Sequence, residues 1–76
     1  MTIEAWERAG EIAKEIKQQQ HKLTVVMEGK IQANKNNFIC DVANIVSPKE
    51  FETIREMMVN AVQRKIDKLK AELAEL

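Results

Sequence analysis

The sequence predicts a mainly α protein of one small domain: two long antiparallel amphipathic helices over about 3–33 and 48–76, joined by a short capped element over 34–47 and assembling into an oligomeric helix bundle. Three observations carry this reading. "SPKE" at 47–50 is a helix start, apolar residues recur at steps of three and four on both sides of it, and the second helix is too long for a compact domain. At about 1.5 Å per residue it spans about 43 Å, whereas a compact chain of this length has a diameter of roughly 29 Å. Two such helices cannot cover each other's full apolar width, so a dimer or higher oligomer is expected.

The first helix begins at Thr2, a fair N-cap. Ile3, Trp6, Ala9, Ile12, Ala13, Ile16, Leu23 and Met27 then follow at steps of three and four or their sums. Gln18, Gln19 and Gln20 keep good helix propensity but place amides where an apolar layer belongs. Glu4 and Arg8 form a favourable i,i+4 pair.

Beyond Leu23 two readings stand. In one the helix continues to about Ala33 and tolerates Gly29 at about 1 kcal/mol relative to alanine. In the other Gly29 ends it, "LTVV" turns extended, and a β-hairpin forms between about 24–32 and 38–46 around "NKNN", giving an α+β fold. The apolar, β-branched run Phe38 to Val46 suits a strand, yet Phe38, Val42, Ile45 and Val46 also share one helical face behind a possible Asn37 cap. Matching the lengths of the two long helices favours the helical reading.

The second helix is the most firmly bounded. Ser47 is placed to cap it, Pro48 sits at the first position, where no amide hydrogen is needed, and Glu50 completes a capping box. Val46 and Phe51 stand at the positions of a hydrophobic staple. Along the helix, apolar residues at 51, 54, 58 and 61 give way to a seam at 62, 66, 69, 73 and 76, displaced by one residue, so the helix can meet two partners. Trp6, Val59, Val62, Ile66, Leu69 and Leu73 are the candidate oligomer contacts.

Composition narrows the function classes. Lys plus Arg and Asp plus Glu are both 12, for zero net charge, which argues against nucleic acid as the main partner. The single Cys40 allows no intrachain disulfide, and with the single His21 it cannot make a four-ligand structural zinc site, so self-association is the remaining source of stability for so small a domain. No apolar run approaches the roughly 20 residues needed to cross a bilayer. "MTIEAWERAGEI" is acidic with no signal-peptide core, so a cytoplasmic protein without a membrane partner is expected.

No catalytic arrangement is evident. Glu11/Glu15 and Glu52/Glu56 are ordinary solvated helix-face spacings, and His21 has no Ser or Cys nearby in sequence to activate. "EGK" at 28–30 lacks the further glycines of a phosphate loop, since Gly10 and Gly29 are the only two. Cys40 reads as a small apolar residue, Trp6 as an interface anchor, and Met27, Met57 and Met58 as gap fillers. No catalytic or metal-binding residue and no cofactor is expected. Lys30, Lys35, Asn36, Asn37 and Arg64, the last beside Lys65, are candidate ligand or partner contacts.

The stretch "VSPKEFETIREMMVNAVQRKIDKLKAELAEL" is similar to the last helix of many small bacteriophage or prophage proteins, in which a Ser-Pro-x-Glu start leads into a Lys/Glu/Leu-rich end. Some such proteins are oligomeric host-defence antagonists that bind a defence protein or sequester cyclic nucleotide signals. The resemblance implies an oligomeric inhibitor or adaptor that binds a host protein, or alternatively an oligomeric sponge for a small cyclic nucleotide.

Overall fold

The computed structural model describes residues 2–76. Helix α1 runs Ile3–Met27, strands β1 (Gln32–Lys35) and β2 (Phe38–Asp41) form an antiparallel hairpin, a single 3-10 turn follows at Val42–Asn44, and helix α2 runs Pro48–Glu75. The two helices pack against each other with the hairpin between them in sequence. The fold is therefore mainly helical and carries the hairpin of the α+β alternative.

Both helix starts are set by side-chain caps. Ala5 N donates to Thr2 Oγ1 at 3.0 Å. At α2, Glu50 N donates to Ser47 Oγ at 3.2 Å while Ser47 N donates to Glu50 Oε1 at 2.9 Å, which closes the capping box. These bonds hold the Glu50 carboxyl below its ordinary pKa, chiefly through the Ser47 backbone amide.

Gly29 ends α1, correcting the helix expected to reach Ala33. Its φ of +77° is left-handed, and the bonds Gly29 N to Val26 O (2.9 Å) and Lys30 N to Val25 O (3.2 Å) close a Schellman motif. "LTVV" correspondingly stays helical rather than extended. The connector thus covers 28–47 instead of 34–47. Asn36 (φ 49°) and Asn37 (φ 68°) are both left-handed, the conformation of a two-residue type I′ turn, so Asn37 cannot cap a helix. The register pairs Gln32 with Asp41 and Lys35 with Phe38, which makes the strands shorter than the sequence suggested.

The interhelical seam follows heptad spacing. On α1, Ala5, Ala9, Ile12, Ile16, Gln19, Leu23 and Val26 are buried or half-buried at alternating steps of four and three. On α2 the matching positions are Arg55, Val59, Val62, Ile66 and Leu69. The core is small: among the described residues Ile12, Val26 and Ile66 are the buried apolar ones. Arg8 Nη2 and Nε reach Glu72 Oε1 at 2.8 and 2.9 Å, tying the start of α1 to the end of α2 and fixing the antiparallel register. At the other end Arg55 Nη1 donates to Met27 O at 3.0 Å, a cation on the terminal carbonyls of α1.

The result is a rod of 50 × 27 × 15 Å with a radius of gyration of 16.3 Å. A thickness of 15 Å is little more than one helix diameter of about 10–12 Å, so the two helices form a single layer.

Candidate functional site

A single layer of amphipathic helices leaves much of its apolar surface uncovered. Ile3, Trp6, Met27, Phe38, Ile39, Ile45, Met57, Met58, Leu73 and Leu76 are all exposed, against three buried core residues. Antiparallel packing places eight of them toward the two ends of the rod. Ile3 and Trp6 open α1 where α2 finishes with Leu73 and Leu76; Met27, Phe38, Ile39 and Ile45 gather where α1 gives way to the hairpin.

The candidate oligomer contacts separate on this map. Val59, Val62 and Leu69 are half-buried in the seam between the chain's own helices, and Ile66 is 2% exposed. This corrects the expectation for Ile66: α1 of the same chain already covers it, leaving no surface for a second chain. Trp6 at 70% exposure and Leu73 at 37% remain open. Met58 and Ala61 of the earlier apolar set are exposed, because 55, 59 and 62 face α1 in their place.

The candidate ligand contacts also divide. Lys35, Asn36 and Asn37 stand together at the hairpin turn, where the positive backbone angles are what hold the two asparagines. Lys30 lies 3.5 Å from Glu28, an exposed ion pair, and lines a groove whose walls include Lys22, Val25, Ile31, Met58 and Val62. Arg64 is exposed on α2 and is not among that groove's walls. His21 is exposed at the groove's edge, and Cys40 is a half-buried free thiol with its Sγ 3.8 Å from Ala33 O.

Phe38 and Ile39 are 72% and 56% exposed. They are consecutive on a strand, so they point to opposite faces, and a two-stranded hairpin with no third layer must leave at least one of them in water. The alternation of side chains along a strand carries that signal in the sequence. Among the described residues no three His, Cys, Asp or Glu side chains gather in a way that would hold a metal ion. Among the described residues no helix is long and apolar enough to cross a membrane. Comparison with protein-family models, curated proteins and solved structures finds no match to this chain.

Proposed function

We propose that this protein is a non-enzymatic, self-associating protein-interaction module, of the inhibitor or adaptor kind that small phage proteins exemplify, with a host protein as its partner. One observation carries the reading: among the described residues ten large apolar side chains lie exposed on a layer only 15 Å thick. Surface of this extent on a small soluble chain marks association. The helix-terminus patch around Trp6 serves contact with further copies. The hairpin, with Phe38 on one face and Ile39 on the other beside the polar tip Lys35-Asn36-Asn37, serves the partner: a two-stranded hairpin has free edges, and its apolar and amide side chains suit recognition of another chain.

Native mass spectrometry of the protein purified from its own host tests both halves. The expected spectrum shows an oligomer carrying a second protein, which is lost in Phe38→Asp. A monodisperse monomer at micromolar concentration would sink the proposal.

A second reading rests on the groove between α1 and α2. Its apolar walls and the cations Lys22 and Lys30 suit a small anionic nucleotide, whose base would lie on Val25 and Met58. Thermal shift against a panel of cyclic nucleotides separates the readings, since a sequestering protein is stabilised by its ligand and a pure protein binder is not.

A further inference from the structure

We infer that two copies associate through the outer face of α1 in one antiparallel register, with Trp6 of each copy seated over Gly10 of the other. The inference rests on the self-association proposed above and specifies its geometry. Ile3, Trp6, Gly10 and Ala13 follow at steps of three, four and three, forming a stripe about 130° around the helix from the seam that meets α2. All four are exposed. Their sizes run large, large, small, small.

That order is self-complementary under a twofold axis. In an antiparallel pair centred on position 8, Trp6 meets Gly10 of the second copy and Ile3 meets Ala13, so each large side chain is opposite a small one on both sides of the axis. No other register does this. A parallel pair stacks Trp6 on Trp6 and leaves Gly10 facing Gly10. Antiparallel pairs shifted by one layer either oppose Trp6 to Trp6 or leave Gly10 facing Gly10 across a void.

Gly10 supports the assignment independently of the pattern. A mid-helix glycine costs about 1 kcal/mol relative to alanine, yet a Cβ there would meet nothing within 4 Å in this chain. The depression above Gly10 is walled by α1 residues alone, including Trp6, Ala9 and Lys14. Leu73 of α2 shares the adjoining depression with Ala13 and Ile16, which extends the same face to the second helix. The register brings Glu7 near Glu7 of the second copy, a like-charge pair at the solvent edge where screening is strong.

Area points to a second copy as the occupant. The chain exposes 6204 Å², whereas a compact monomer of this mass exposes about 4,700 Å². The excess of roughly 1,500 Å² exceeds the ~800 Å² per partner of a standard stable interface.

Sedimentation velocity with circular dichroism on the wild type, Gly10→Leu, Trp6→Gly and the double variant Trp6→Gly/Gly10→Trp tests this. The wild type is expected to be dimeric. Gly10→Leu should weaken dimerisation by at least about 30-fold while leaving helix content equal or higher, because leucine favours helix and its Cβ meets no neighbour. Trp6→Gly should be monomeric, and the double variant should dimerise again, since the knob and the hole have exchanged places. A wild-type dimer undisturbed by Gly10→Leu, or a double variant that stays monomeric, overturns this register and leaves the self-association proposal standing. A monomeric wild type overturns both.

Discussion

Single residues set the boundaries of this fold. Gly29 is the sharpest case, because its φ of +77° costs most L side chains about 1–2 kcal/mol. Space is not the obstacle: an added Cβ would sit 3.6 Å from the Phe51 ring, an ordinary contact. Gly29→Ala should therefore lower stability in urea by about 1 kcal/mol or more, and Gly29→Asn by less, since asparagine tolerates that region. Equal losses for both would show that contact with Phe51, not backbone conformation, is what glycine serves. At the opposite cap, Ser47→Ala should cost about 1 kcal/mol. The Glu50 contribution there depends on pH. Its carboxyl is held below the ordinary value of 4.5 in the fold, so its stabilisation is complete above that value and disappears as pH falls through the lowered folded pKa. Glu50→Gln keeps the acceptor oxygen and removes only the charge. The variant should be less stable than wild type in urea at pH 7, and the gap should close as the carboxyl of the folded wild type becomes protonated in acid; a gap that persists once it is protonated would assign the effect to the amide itself.

At the scale of elements, legibility followed the strength of local chemistry. The start of α2 was readable because Ser47, Pro48 and Glu50 each favour the same boundary through a different interaction. The end of α1 was not, because Gly29 is compatible with a helix interior at a modest cost, and only the Schellman bonds from Gly29 and Lys30 decide the matter. The candidate interface was half legible for a related reason. Spacing marks which residues of α2 are apolar, but two faces one residue apart compete for α1, and only the packed structure shows that 55, 59, 62, 66 and 69 win. Gln19 is the test of that seam on the other helix. It is half-buried at a heptad position between Ile16 and Leu23, while Gln18 and Gln20 are exposed. Gln19→Leu should raise the urea midpoint by the equivalent of about 1 kcal/mol, roughly half of a fully buried leucine, whereas Gln18→Leu should leave it unchanged. A null result at Gln19 would place the seam elsewhere.

For the whole molecule, shape is the dominant fact. A chain with a radius of gyration of 16.3 Å, against ~11 Å for a compact one of equal length, has spent its helices on length. Its buried apolar core amounts to Ile12, Val26 and Ile66, so a layer this thin gains stability chiefly by covering its outer faces with another layer. Under the proposed self-association, folding and association are linked and thermal stability depends on concentration. For a dimer that unfolds to two chains, a hundredfold rise in protein concentration adds about 2.7 kcal/mol per dimer. At about 2.1 cal/mol/K per residue, two chains of 76 residues have an unfolding entropy of about 320 cal/mol/K. The midpoint should therefore rise by about 8 °C between 1 and 100 μM, taking RT at 25 °C for the concentration term. Scanning calorimetry or circular dichroism melts across that range read the shift directly. A midpoint independent of concentration would mean that the single layer is stable alone, and the exposed apolar faces would then have to be explained without a second copy.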